Sequence, residues 1–250
     1  MTTPYVFAVI PARGGSKRLP RKNLLRLGPL SLLGHAVASA REATTLSRFI
    51  VSTDSVEIAD EARRQGAEPP FLRPAELATD EPTNMPVLQH AVRWLEAAEG
   101  IRADVVVTLQ PTSPFRTGSD IDRVVRTLLE TNSDSAQSLK SACYHPFSMS
   151  MLDGDRVIPL FPDWQKRPRR RRDAPEAYQP SGAVYATRYD VLMKQDRITG
   201  DDHRAVVLGF EASISIDTEW DFKLAELILQ AGRAPIRAER TRAPMPAERT

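Results

Sequence analysis

Between Tyr5 and Glu130 the sequence alternates short, nearly continuous apolar runs with segments of helical period. "YVFAVI", "RFIVSTD" and "ADVVVTLQP" read as strands buried on both faces. "SLLGHAVASAREA" puts Leu32, Leu33, Ala36, Val37 and Ala40 at helical spacing. "SVEIADEARRQGA" reads as a helix ending at a Gly66 C-cap, and "MPVLQHAVRWLEAAEG" as one stopped by Gly100. "SDIDRVVRTLLE" reads as a helix with Ser119 at its N-cap. Fully apolar strands separated by amphipathic helices predict an α/β fold with a parallel sheet covered on both faces. Ligands in such sheets bind at the carboxyl ends of the strands. Three loops are therefore expected on one rim: Pro11–Asn23, Ser52–Ser55 and Leu109–Arg116.

Past Ala142 the alternation weakens. The stretch from there to Tyr178 is rich in proline and charge and reads as an insertion or hairpin arm. "GAVYATR" returns to a strand, and "ASISIDTEWDFKLAELILQAG" reads as a strand running into a final helix. The segment 233–250 has little periodicity and reads as a disordered tail. A chain of 250 residues with 41% hydrophobic content suits one large domain with an insertion, or two small ones. The net charge of +2 is uneven: five Arg and two Glu put +3 on the tail and leave −1 on the rest. A near-neutral body with a local basic pocket argues against nucleic acid or a membrane surface as partner. The single cysteine, Cys143, excludes an internal disulfide or a cysteine-rich metal site. The N-terminus lacks a signal-peptide pattern, and no apolar run approaches the ~18 residues of a spanning helix. A soluble cytoplasmic protein is expected.

The first rim loop, "PARGGSKRLPRKN", is neither of the common phosphate-binding fingerprints. Gly14 and Gly15 nevertheless let backbone N–H groups approach a ligand, and Arg13, Lys17, Arg21 and Lys22 can neutralise phosphate. A surface turn with solvated cations is the competing reading, weakened by the strand in front of it. In "STDS", Asp54 or Ser55 serves as a helix cap. "LQPTSPFR" uses two prolines to stiffen a loop expected to expose Gln110, Thr112, Ser113 and Arg116. "SISIDTEWD" delivers Asp217 to the rim, where a carboxylate holds a hard cation such as Mg²⁺ or caps a helix; Asp221 suits the following helix dipole. "KRPRRRR", Lys166–Arg172, reads as a solvated loop or as a grip on an anionic sugar, because no aromatic residues interleave with it. His35 and His90 fall in helices as packing residues, and Cys143 has no activating partner.

Taken together, "IPARGGSKRLPRKN", "IVSTDS", "FLRPAELATD", "LQPTSPFRT", "YQPSGAVY" and "SIDTEWD" resemble, in order over about two hundred residues, the CMP-sialic acid synthetases. These are the acylneuraminate cytidylyltransferases, with relatives acting on legionaminic and pseudaminic acids. The resemblance implies a Rossmann-like nucleotidyltransferase fold, a mostly parallel twisted sheet flanked by helices. It implies a single domain over residues 1–232 and a homodimer whose arm, here about residues 142–178, reaches the partner's site. The implied reaction is CTP plus a nine-carbon 2-keto-3-deoxy sugar acid giving a CMP-sugar and pyrophosphate, with Mg²⁺.

By the same resemblance Ala12, Arg13, Gly14, Ser16, Lys17, Lys22 and Asn23 hold the CTP phosphates, with Arg73 and Asn84 around the nucleotide. Gln110, Arg171 and Tyr178 contact the sugar acid, and Asp217 binds Mg²⁺. Arg13, Lys22 and Asp217 are the expected catalytic set, acting by positioning and charge neutralisation. Two departures stand out. Ser215 occupies a position where the family often has a first aspartate, and Gln179 and Ser181 stand where an Arg and an Asn often face the sugar. The second departure points away from N-acetylneuraminate as acceptor. An eight-carbon ulosonic acid as acceptor, or a nucleotide-binding protein without turnover, are the alternatives.

Overall fold

The computed structural model describes residues 3–78, 84–161, 170, 173–235 and 237. The elements run β1 (Val6–Pro11), β2 (Arg26–Leu27), β3 (Leu30–Ser31), α1 (Leu32–Glu42), β4 (Arg48–Ser52), α2 (Val56–Arg64), α3 (Asn84–Glu99) and β5 (Val105–Thr108). They continue with α4 (Gly118–Glu130), β6 (Ser135–Ser141), β7 (Ser150–Asp153), β8 (Arg156–Pro159), β9 (Tyr178–Arg188), α5 (Tyr189–Lys194), β10 (His203–Val207) and α6 (Glu219–Gln230).

Among the described residues, six strands form one sheet in the order β10-β6-β9-β5-β1-β4. β1 is parallel to β4 and β5, and β10 is parallel to β6. The sheet is thus mostly parallel, as expected, with one correction: β9 runs antiparallel between β5 and β6. That insertion brings the N-terminal half of β9 to the same rim as the C-terminal ends of β1, β4 and β5.

The strand period of two sorts the side chains of β1 between two cores. Val6, Ala8 and Ile10 face a cluster built with α1, α2 and α4. Phe7 and Val9 face the opposite cluster, built with α3 and Leu192 of α5. Burial on both faces explains why β1 reads as an unbroken apolar run. A third cluster packs Ala225 and Ile228 of α6, together with Ile214 and Ile216, against Leu19, Leu27, Leu32 and Phe115. It anchors the last helix beside the first rim loop.

Local signals hold for α2 and α3, which stop at Gly66 (φ 76°) and Gly100 (φ 67°). α4 differs: its cap is Thr117, not Ser119. The Thr117 side chain accepts from Asp120 N–H while Asp120 accepts from Thr117 N–H, a capping box that starts the helix earlier. The "SISID" segment also departs from the strand expected of it. Ile214 and Ile216 are buried, but the segment joins no ladder among the described residues, and Ile216 N–H donates to Thr112 O at 2.8 Å. Its alternation reports burial under α6 rather than pairing. Within the arm, β7 and β8 pair as an antiparallel hairpin. No described helix is long and apolar enough to cross a membrane.

Candidate active site

The first rim loop is pressed against the β4–α2 turn. Gly14 N–H donates to Asp54 Oδ1 at 2.9 Å. A Cβ on Gly14 would come within 3.1 Å of the Ser55 Cβ, so glycine lets the loop sit this close to the turn without displacing Ser55. Ser55 caps α2, which leaves the Asp54 carboxylate to hold the glycine loop. Inside the loop, buried Asn23 donates its amide to the Arg13 carbonyl at 2.9 Å. Ala12 is buried and extends the sheet hydrogen bonding to Ser52 O, while Ser16 is half-buried and Lys17 exposed.

Lys22 follows the left-handed residue Arg21 (φ 54°). Its ammonium donates to Asp217 Oδ1 at 2.8 Å. The Lys22 side chain is 17% exposed and that of Asp217 54%, so the pair lies at the lip of the site. Ser215 Oγ donates to the other oxygen, Asp217 Oδ2, at 3.2 Å. Asp221 is engaged elsewhere: it accepts from Asp217 N–H and from the Thr218 N–H and hydroxyl as the cap of α6. Burial alone would raise its carboxyl, but these bonds hold it below the ordinary carboxylate value. Among the described residues no group of three or more His, Cys, Asp and Glu is arranged to hold a metal ion.

Arg73 is buried. Its guanidinium bonds Ser52 Oγ at 3.2 Å and Ser52 O, and its backbone N–H donates to Thr53 O at 2.7 Å. It braces the end of β4 close to Arg13 and Asp54; burial lowers its pKa, with Asp54 opposing and Arg13 adding to the shift. Asn84 opens α3, on the chain's path from the β4 end of the rim back to β5.

The "LQPTSPFR" loop differs from its expected form. Gln110 and Thr112 are half-exposed, but Ser113 and Arg116 are buried. Arg116 is a strut: it donates to Gln110 O (3.0 Å), Ala183 O (2.7 Å) and Ser39 Oγ (3.1 Å). These bonds from a buried guanidinium stiffen the loop from below. Burial, with Arg237 nearby as a second cause, pushes its pKa down to about 9. Facing this loop is Gly182 on β9. A Cβ there would lie 3.5 Å from Gln110 Oε1, 3.8 Å from Ser113 Oγ and 3.9 Å from Ser215 Oγ. Ser113 Oγ is buried with no hydrogen-bond partner among the described residues. Three polar side chains from two segments, the Gln110–Ser113 loop and Ser215, thus surround a side-chain-free notch, which continues through Ser215 to Asp217 and Lys22.

Tyr178 stands apart from that notch. It is exposed at the start of β9, paired with Ser141, and its hydroxyl donates to Glu176. Four residues of strand, roughly 13 Å, separate it from Gly182. With Ala142, His145 and Pro175 it lines a cleft of about 550 Å³ at the base of the arm. Arg171 and Lys166 lie outside the described residues. Sequence reasoning misses Gly182 altogether, reads Asp54 only as a cap and Ser113 only as an exposed loop residue, and notes Ser215 only as a replaced acid. Their signals are weak: a cap-like Asp, a serine between prolines, a glycine in a strand and a serine replacing an acid.

A family model described as cytidylyltransferase matches residues 7–198. The CMP-N,N'-diacetyllegionaminic acid synthase of Legionella pneumophila is 31% identical over 90% of this chain and 96% of its own. The N-acylneuraminate cytidylyltransferase of Escherichia coli is 31% identical over 90% of this chain and 52% of its own. In fold, the chain superposes with a TM-score of 0.66 and 17% identity on a CMP:2-keto-3-deoxy-manno-octonic acid synthetase solved with CTP, covering 91% of this chain and 99% of that one. The matched stretch carries the glycine loop, Asp54, Arg73 and the Gln110 loop on one rim; the chain belongs to the cytidylyltransferase family.

Proposed function

We propose that this cytidylyltransferase moves CMP from CTP to the anomeric hydroxyl of a nine-carbon 2-keto-3-deoxy sugar acid of the sialic and legionaminic type. The observation that carries the reading is the continuous polar strip from the glycine loop through Lys22, Asp217 and Ser215 to Gly182 and Gln110. It joins a cationic phosphate cradle to a notch lined by hydroxyl and amide groups, which suits a polyhydroxylated acceptor. The names of the two relatives at 31% identity support nine carbons over eight.

In the reaction the anomeric oxygen bonds to the α-phosphorus, the bond from that phosphorus to the bridging oxygen of the β-phosphate breaks, the hydroxyl proton passes to water and pyrophosphate departs. The chain needs no nucleophile of its own for this. Arg13, Lys17, Lys22 and Ser16 take the phosphates, on a cradle shaped by Ala12 and Gly14, whose own N–H groups are held by Ser52 O and Asp54. Asn23 keeps the loop in shape, and Arg73 and Asn84 border the nucleotide. Gln110 orients the acceptor in the Gly182 notch. Tyr178 and Arg171 extend the acceptor site from the arm. Asp217 and Ser215 fit Mg²⁺ as hard oxygen donors: Lys22 holds Oδ1, leaving Oδ2 and Ser215 Oγ on the strip. A single protein carboxylate is enough for an ion that keeps most of its shell as phosphate oxygens and water. When bound, the ion neutralises charge developing on the α-phosphate.

We also read residues 1–232 as one catalytic domain whose arm, residues 142–178, contacts a second copy in a homodimer. The β7–β8 hairpin exposes Met151, Leu152 and Val157, and a lone two-stranded hairpin is marginal in water. A cytoplasmic location fits the single cysteine. The experiment is to incubate the protein with CTP and Mg²⁺ and a panel of eight- and nine-carbon ulosonic acids, with mass identification of CMP-linked product. A CMP conjugate of a nine-carbon acid is expected; product only with the eight-carbon acid, or none from any, overturns the reading.

A further inference from the structure

Arg237 lies past α6, in a stretch whose sequence shows no periodicity, yet it is among the most deeply set charged residues of the fold, at 7% exposure. Its guanidinium makes bonds to two parts of the chain, the Pro114–Arg116 loop and α1. It donates to the Pro114 carbonyl at 3.0 Å and the Arg116 carbonyl at 2.7 Å, to the His35 carbonyl of α1 at 3.4 Å, and to both Glu42 oxygens at 2.9 and 3.1 Å. Glu42 in turn accepts from Gly118 N–H at the start of α4, at 3.3 Å. The loop it grips is the one stiffened from inside by Arg116, whose side chain holds Gln110 O and Ala183 O, next to Gly182. Two buried guanidiniums, from residues 121 positions apart, therefore fix the backbone that carries Gln110, Ser113 and the Gly182 notch. The planar fork of arginine bonds a carboxylate and several carbonyls at once, which an ammonium does not.

We propose that Arg237 is a positioning residue for the acceptor side of the site, so that a residue beyond α6 is part of the site's frame. It touches no reacting atom; it acts through the Pro114–Arg116 backbone. The assignment of that side to the acceptor rests on the proposed function, but the tie between Arg237 and the loop does not.

The test uses the full chain with Arg237→Ala and Arg237→Lys, read by hydrogen exchange of the amides from 110 to 117 and by steady-state kinetics. In Arg237→Ala the loop amides should exchange faster. The kcat/KM for the acceptor should fall about 10- to 100-fold, as misplacement of orienting groups does, while KM for CTP stays unchanged. Arg237→Lys should recover part of both. Unaltered loop exchange overturns the proposal, as does an equal loss toward CTP and acceptor tracking a lower Tm. If Arg237→Ala does not fold, Glu42→Gln, which leaves the carbonyl bonds in place, should show a smaller change at the same amides; no change there overturns it. A wild-type protein without acceptor-dependent turnover refutes the acceptor reading alone, and loop exchange then decides this inference by itself.

Discussion

Lys22 and Asp217 lie 195 positions apart and meet at 2.8 Å. The contact closes the site: it joins the first rim loop at the start of the chain to the turn that begins the last helix. The Lys22 side chain is mostly buried there, while that of Asp217 stays half exposed.

Replacing Lys22 with Ala removes a charge-assisted contact to phosphate and leaves Asp217 without its ion-pair partner. A loss of about 1.5–3 kcal/mol, or roughly 10- to 150-fold in kcat/KM, is expected. The check is steady-state pyrophosphate release with both proteins folded by circular dichroism; kcat/KM within experimental error of wild type contradicts the role.

Asp217→Asn exchanges a carboxylate for a neutral amide that binds Mg²⁺ poorly. A fall in kcat of at least about tenfold is expected, with a smaller change in KM for CTP, since the basic loop still docks the nucleotide. Ser215→Asp places a second carboxylate beside the first and should lower the Mg²⁺ concentration for half-maximal rate. EDTA should abolish turnover of the wild type. Initial rates across a Mg²⁺ titration decide all three; a normal Mg²⁺ response in Asp217→Asn moves the metal ligand elsewhere, with Asp54 the next candidate.

Gly182→Ala fills the notch. The residue has φ 79°, and the added Cβ would stand 3.5 Å from Gln110 Oε1. A left-handed conformation costs an alanine about 1–2 kcal/mol, and the acceptor loses room. KM for the acceptor should rise while KM for CTP holds. Equal effects on both substrates would mean that the notch does not face the acceptor.

Asp122 predicts an acid-sensitive clamp away from the site. Its carboxylate accepts from the N–H groups and hydroxyls of Thr44 and Thr45. Burial alone would raise its pKa, but these bonds outweigh it and hold it below the ordinary 3.8. A depressed folded pKa gives stability that is present above the unfolded value and lost as pH falls through the folded one. Asp122→Asn should therefore lower stability by about 1–3 kcal/mol near neutral pH, with the gap from wild type narrowing below pH 3.8. Urea melts at neutral and at acid pH, on either side of that value, measure this; a gap that stays constant speaks against the clamp.

Much of the α/β frame was legible because β1, β4 and β5 are buried on both faces and read as apolar runs. β6 and β10 were not, because "SAQSLKS" and "HRAVV" lie toward a polar edge of the sheet and carry no such run. The reversed direction of β9 has no local signature: a central strand looks alike in either sense, and its pairing is fixed by partners far along the chain. The "SISID" alternation was visible but meant packing of Ile214 and Ile216 under α6. At the site, cationic and glycine residues of the first loop could be read from their types. The burial of Ser113 and Arg116 could not, since two prolines signal a turn without saying which way its side chains point. Arg237 was illegible for a related reason: nothing in a proline-rich tail marks it as an arginine that folds back.

The most direct test of the account is initial-rate pyrophosphate release with each reactant varied in turn. The structure's phosphate loop and acceptor notch predict a rate that requires CTP and a nine-carbon 2-keto-3-deoxy sugar acid together, and that vanishes when either is omitted. Equal turnover with ATP, or hydrolysis of CTP at the same rate without any sugar acid, would contradict it.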